Sequence, residues 1–252
     1  MRIFWVMAVA VCLAGTASAA PDSRQVDDLV AANRVLADLG ILDGFGHVSM
    51  RSDKDPNHYF MSRSLAPALV HGADILEYDL DSSVIGAKGH ALFLERFIHG
   101  EIYKARPDVK AVVHTHAPDL IPFGATVVKL QPIYHMSSFL GAGVPVFEIR
   151  DVVAESDMLV RNPAIGAALA KVLADKPMAL MRGHGAVVVG NSIPQVVFRA
   201  YYAEMNARLQ AEAMRLGPVT YLSAEEAAAA ARTNDGVLAR AWELWKRNAK
   251  TK

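Results

Sequence analysis

The chain has 252 residues, with 26 Lys plus Arg against 26 Asp plus Glu and 52% hydrophobic residues. That is enough for one large domain or two small ones around a sizeable core, and the composition is that of a globular protein. Balanced charge with no basic stripe excludes the electrostatic footprint of a nucleic-acid binder, so the expected partner is a small molecule or another protein.

Residues 1–19 read as a secretory signal peptide: Met1-Arg2 is the charged end, Ile3 to Ala14 the apolar run, and Ala17-Ser18-Ala19 the small-residue cleavage site. The apolar run is shorter than the roughly 20 residues a spanning helix needs, so no stable membrane insertion is expected. The expectation is therefore a mature chain of residues 20–252, periplasmic or secreted. Cys12 is the only cysteine, which excludes disulfides from the mature chain and leaves stability to the core and to oligomerisation.

From Asp22 to Leu39, Val26, Leu29, Val30, Leu36 and Leu39 form a helical stripe that Gly40 ends. A glycine turn at 43–46 leads into an alternating strand, His47 to Arg51, and Tyr59 to Ser62 and Ile75 to Leu80 read as further strands. Leu92 to Ala105 has a helical stripe, with Glu95 in its first turn and Arg106-Pro107-Asp108 as its stop. Lys110 to His116 reads as a strand, Pro118 to Phe123 as a short helix, 127–135 as irregular, and Val144 to Phe147 as a short strand. Asn162-Pro163 opens a helix to Leu173, Met178–Met181 and Ala186–Val189 are apolar strands around Gly183-His184-Gly185, and Pro194 to Leu216 is a long helix. Ser223-x-x-Glu226 is a capping box, and Leu238, Ala241, Trp242 and Trp245 mark a last amphipathic helix. With no repeat or linker, a single domain is the simplest account.

Alternation along a strand puts Val112, His114 and His116 on one face, so two imidazoles lie side by side. Such a pair can supply two nitrogen ligands to one divalent metal, but a catalytic site needs a third protein ligand and an open position. With nine histidines in the chain, one His-x-His is weak support by itself. His184, between glycines that let the backbone turn sharply, is the candidate third ligand. Glu95 reads either as a carboxylate placed favourably at a helix start or as a general base facing the metal.

Taken together, Glu95-Arg96-Phe97-Ile98-His99-Gly100, the run Arg106 to His116 and Arg182-Gly183-His184-Gly185 resemble the class II aldolase/adducin family, over about residues 25–215. The resemblance implies a single three-layer α/β/α domain with a largely antiparallel central sheet, commonly a homotetramer. It implies metal ligation by His114, His116 and His184, with Zn²⁺ or another divalent ion such as Fe²⁺ or Mn²⁺, and Glu95 at the catalytic acid/base position. It also implies a lyase that breaks a C–C bond beside a carbonyl or enol, either by aldol cleavage or by decarboxylation. Two other readings stay open: an adducin-like binding module without catalysis, and an iron-dependent oxygenase on the same ligands.

The departures from the family pattern narrow the substrate. Sugar-phosphate members hold phosphate with Gly-Asn-x-Ser, Thr/Ser-Gly and Ser-Ser, where this chain has Gly46-His47-Val48-Ser49, Ser64-Leu65 and Phe93-Leu94. Losing those donors and close backbone approaches points to a substrate without phosphate. His47, Ser49, Ser62, Arg63 and Ser64 are the candidate substrate-binding residues, with His47, Arg63 and Arg182 as cations for a carboxylate and Phe45, Phe93 and Leu94 as apolar lining; for Arg63 and Arg182 a solvated surface or a structural pair is the other reading. The aldolase His-Tyr-Met run reads Tyr134-His135-Met136 here, so His135 falls at the catalytic acid, or serves as a structural hydrogen-bond partner. A hydroxy-keto acid or an aromatic acid is the expected substrate.

Overall fold

The computed structural model describes residues 22–86 and 89–250. The expected signal peptide and Cys12 lie outside the described residues. Seven strands form one sheet: β1 (His47–Arg51), β2 (His58–Ser62), β3 (Ile75–Asp79), β4 (Ala111–Thr115), β5 (Val146–Phe147), β6 (Met178–Met181) and β7 (Gly185–Gly190). The order across the sheet is β3-β2-β1-β4-β7-β6-β5, and every pairing is antiparallel except β5 with β6. This is the largely antiparallel sheet expected.

The helices are α1 (Ser23–Asp38), α2 (Phe97–Ala105), α3 (Ile121–Ala125), α4 (Pro163–Leu173), α5 (Ile193–Leu216), α6 (Ala224–Asp235) and α7 (Leu238–Lys250). Strand alternation divides the core into two layers. Val113, Leu180 and Val188 meet Leu36 of α1, Val197 of α5 and Trp242 of α7 on one face. Val112, Ala179 and Val187 meet Ile98 and Ile102 of α2 and Leu169 of α4 on the other. Both faces of β4 and β7 are therefore buried, which is why these strands read as continuous apolar runs.

Several boundaries differ from the sequence reading. The helix expected from Leu92 starts as a 3₁₀ turn, Leu94–Arg96, and becomes α-helical only at Phe97. Glu95 has φ −91° and ψ 15°, so it lies in the kink before α2 and not in an α-helical first turn. The stretch after Tyr134 is a 3₁₀ segment, His135–Ala142, packed against α6.

Candidate metal centre

Three elements bring the imidazoles together on the α2/α4 face of the sheet. His114 is on β4, with His47 of β1 and Val187 of β7 as its register partners. His116 follows just past the end of that strand, and His184 occupies the tight turn between β6 and β7. Gly183 takes φ +64°, a conformation open mainly to glycine. A Cβ on Gly185 would press into the Thr115 carbonyl oxygen, so only glycine lets β7 start this close to the end of β4. The two glycines thus bring His184 beside His116.

The donor atoms of Glu95, His114, His116 and His184 all lie within 4.8 Å of one another. His116 Nε2 is 3.1 Å from His114 Nε2 and 3.0 Å from His184 Nε2. Glu95 Oε2 is 3.4 Å from His114 Nε2 and 3.5 Å from His184 Nε2. Two nitrogens each about 2.0–2.1 Å from one tetrahedral ion would be roughly 3.3 Å apart, so the spacing fits a single divalent cation.

Tautomers make the same point. His114 Nδ1–H donates to the Ala186 carbonyl at 3.1 Å, and His184 Nδ1–H donates to the Met158 carbonyl at 2.9 Å. Each ring therefore turns a bare Nε2 lone pair towards the cluster, and lone pairs facing one another and a carboxylate call for a cation between them. Burial, then His114 and His184, lowers the pKa of His116 to about 4, so His116 is neutral at neutral pH, the form that ligates metal. Glu95 Oε1 accepts the Val160 N–H at 2.9 Å, leaving Oε2 at the cluster.

One loop thus holds two of the four residues, through the Met158 carbonyl and the Val160 amide. Met158 has φ +72°, a conformation unusual outside glycine, asparagine and aspartate. These are main-chain contacts across more than 60 positions for Glu95, and no side-chain pattern announces them.

The other expected site residues divide. His47 and Ser49 are buried and share a face with His114, whose ring centroid is 5.1 Å from that of His47. His47 is not the cation expected: burial, then His99 and His114, pushes its pKa well below the ordinary value and keeps it neutral. Phe93 lies against it, ring centroids 4.5 Å apart, while Leu94 and Phe45 are exposed. Arg63 is an ion-pair partner of Asp74 at 2.8 Å, and Arg182 is paired with Glu148, so both are tied into the scaffold. Ser62 follows Met61 on β2 and so faces the α1 layer, away from the cluster. Ser64 is bonded through its amide to the Ala91 carbonyl at 2.8 Å, beside the segment carrying Phe93.

His135 is not among the four converging residues. It is exposed, and its carbonyl accepts from Asn234 of α6 at 2.7 Å, because the 3₁₀ segment packs on that helix and not on the site face. The sequence reading assigned nothing to His99 and Tyr103, both buried on α2 behind His47. Their i, i+4 spacing opposite the i, i+2 pair His47 and Ser49 was the available signal. A groove of about 1110 Å³ along α1 and α7 contains none of the four; converging donor atoms mark this site, not cavity size.

The family described as Class II Aldolase and Adducin N-terminal domain matches residues 27–211. The chain is similar to decarboxylase tropJ of Talaromyces stipitatus, 36% identical over 92% of this chain and 96% of that protein. It is also similar to a 3,4-dihydroxyphthalate decarboxylase of Arthrobacter keyseri, 29% identical over 75% of this chain and 78% of the other. Among solved structures, L-fuculose 1-phosphate aldolase from Glaciozyma antarctica matches with a TM-score of 0.75 at 22% identity, over 90% of this chain and 89% of that one. A likeness at that identity concerns the fold.

Proposed function

Because this chain belongs to the class II aldolase and adducin family, we propose that it is a metal-dependent carboxy-lyase for a non-phosphorylated aromatic acid with neighbouring hydroxyls. The observation that carries the reading is the cluster itself: three imidazoles whose Nε2 atoms converge, two of them with Nδ1 tied to a main-chain carbonyl so that Nε2 is bare, and one carboxylate oxygen held at the same point. Similarity to two decarboxylases favours decarboxylation over aldol cleavage.

His114, His116 and His184 would hold the ion, which we propose to be zinc, a metal suited to three imidazoles with one open position. Such a cation, when bound, supplies positive charge that gathers adjacent substrate oxygens and stabilises the anion formed as the carbon–carbon bond breaks. Glu95 moves the proton. Its Oε1 is fixed by Val160, so Oε2 takes the proton of a substrate hydroxyl. As the bond to the carboxylate breaks, its electron pair stays on the ring carbon and CO₂ leaves. Glu95 then returns the proton to that carbon, and the phenolate regains one from solvent. Phe93 offers an apolar face for an aromatic ring beside the cluster.

A homo-oligomer, tetrameric by family resemblance, belongs to the proposal. The exposed apolar side chains of Val127 and Leu216 support it, and sedimentation velocity tests it.

The function is tested by elemental analysis of the wild type beside His114→Ala, followed by CO₂ release from dihydroxybenzoic and dihydroxyphthalic acids in air and without oxygen. About one zinc per wild-type chain, lost in the variant, with equal CO₂ release under both atmospheres, is the expected result. Oxygen consumption with iron bound moves the assignment to an oxygenase, and a folded wild type without metal or turnover leaves the binding module.

A further inference from the structure

A continuous hydrogen-bonded line runs from the core to the candidate metal centre. The Tyr103 hydroxyl meets Ser49 Oγ at 2.8 Å, Ser49 Oγ meets His99 Nδ1 at 2.6 Å, and His99 Nε2 meets His47 Nδ1 at 2.6 Å. All four side chains are buried. His47 and Ser49 alternate on β1, while His99 and Tyr103 are one turn apart on α2, so the line spans the seam between strand and helix. With Nδ1 engaged, Nε2 is the His47 nitrogen left to meet a ligand, on a ring beside those of His114 and Phe93.

Counting protons gives the line a direction. If Tyr103 donates to Ser49, Ser49 donates to His99 Nδ1 and His99 Nε2–H donates to His47 Nδ1, every hydrogen in the line is used. His47 must then carry its proton on Nε2. Reversed, the line leaves the Tyr103 hydrogen needing an acceptor. Among the described residues the Tyr103 hydroxyl is bonded to Ser49, and the group over its ring is the Arg51 guanidinium, which can only donate. If Ser49 instead accepts from both neighbours, its own hydrogen is left over in the core, and among the described residues Ser49 Oγ has just these two partners. A buried hydrogen without an acceptor gives up its hydration and regains nothing, which selects the first arrangement.

We propose that Tyr103, Ser49 and His99 lock the His47 ring so that Nδ1 accepts and Nε2–H is presented as a hydrogen-bond donor to an anionic oxygen of the substrate. Tyr103 ends the line as a fixed donor and not as a proton source, because burial pushes its phenol up. Tyr103, Ser49 and His99 are positioning residues; His47 is the group that meets the ligand. The acceptor's identity rests on the carboxy-lyase reading, whereas the tautomer follows from this chain alone. A donor of this kind prefers a carboxylate or phenolate oxygen and accepts nothing from an incoming hydroxyl.

Long-range proton–nitrogen NMR of the ¹⁵N-labelled, zinc-loaded protein reads the tautomer directly, with His47 assigned by its loss in His47→Gln. The expected spectrum has His47 protonated at Nε2 and bare at Nδ1, and the two forms mix in Tyr103→Phe and Ser49→Ala. A bare Nε2 in the wild type, or an unchanged tautomer in both variants, overturns the proposal. Should Tyr103→Phe not fold, Ser49→Ala decides alone. In the same samples, 3,4-dihydroxybenzoate is expected to bind about tenfold more weakly to each variant at equal zinc content; equal affinities overturn the donor role. A wild type without zinc would remove the carboxy-lyase reading and leave the tautomer result standing.

Discussion

Glu95 divides its two oxygens between scaffold and cluster, and that division makes its role separable from ligation. Glu95→Gln keeps the acceptor for the Val160 amide and removes the proton carrier. It is expected to retain about one metal per chain and to lose turnover by roughly 10²–10⁴-fold, read by CO₂ release beside elemental analysis. His184→Ala removes a ligand held in place by the Met158 carbonyl and is expected to lose the metal. Protonation of the metal-free protein follows from two other histidines. His116 is lowered to about 4 and His99 to about 3, in both cases first by burial. Above the ordinary histidine value of about 6.5 both states carry neutral rings, so these groups leave stability independent of pH. Below it the unfolded chain takes up protons that the folded chain refuses, so stability falls as pH drops from about 6.5 towards 4. Melting curves of chelator-treated protein across that range are expected to show the decline, and a flat profile would contradict the buried neutral rings.

Two glycines of the same chemistry serve different elements. Gly185 lets β7 start against Thr115 of β4, and Gly166 of α4 lets that helix lie on α2, where a Cβ would come within 2.6 Å of the Phe97 carbonyl oxygen. Gly185→Ala has to displace the end of β4 or the turn that carries His184, so loss of metal is expected along with a lower melting temperature. Gly166→Ala pushes apart two helices that support the site from behind, and a stability loss of about 1–3 kcal/mol with metal retained is expected. Chemical denaturation with parallel metal analysis separates the two; equal metal content in both variants would refute the role given to the β7 start. At this scale the sequence was readable wherever periodicity acts alone. The strands β1, β2, β4, β6 and β7 and the helices α1, α4 and α5 follow from alternation, stripes and punctuation. The kink at Glu95 was hidden, because Leu94 to Ile102 keeps a helical stripe through a turn that is 3₁₀. The 3₁₀ segment after Tyr134 was hidden as well, since it is shaped by α6, a distant partner.

In the molecule as a whole, strands from both halves of the chain converge on β4, the middle strand of the sheet, so the candidate centre fastens the β4 end to the β6–β7 turn. A cation bound only by the folded state adds RT ln(1 + [L]/Kd), about 2.7 kcal/mol at a hundredfold excess over Kd. Chelation is therefore expected to lower the melting temperature of the wild type and to leave that of His114→Ala unchanged. Export, proposed from residues 1–19, is tested by N-terminal sequencing of natively produced protein: a start at Ala20 supports it, and a start at Met1 refutes it.

The sequence by itself determined most strands and helices, because alternation, apolar stripes and glycine turns are local and survive without tertiary context, whereas the layered fold, the candidate ligand trio with its carboxylate and the departures at the phosphate positions were legible through ordered motifs that resemble a known family. Only the tertiary structure decided that Arg63 and Arg182 are engaged elsewhere, that Ser62 faces the other layer and that His135 is outside the cluster. The same holds for the neutral state of His47 and for the Met158 and Val160 main chain that fixes the His184 tautomer and the Glu95 carboxylate. The physical reason is the same in each case. A side chain's charge and role depend on what packs against it, and the groups that packed against these came from segments tens of residues away.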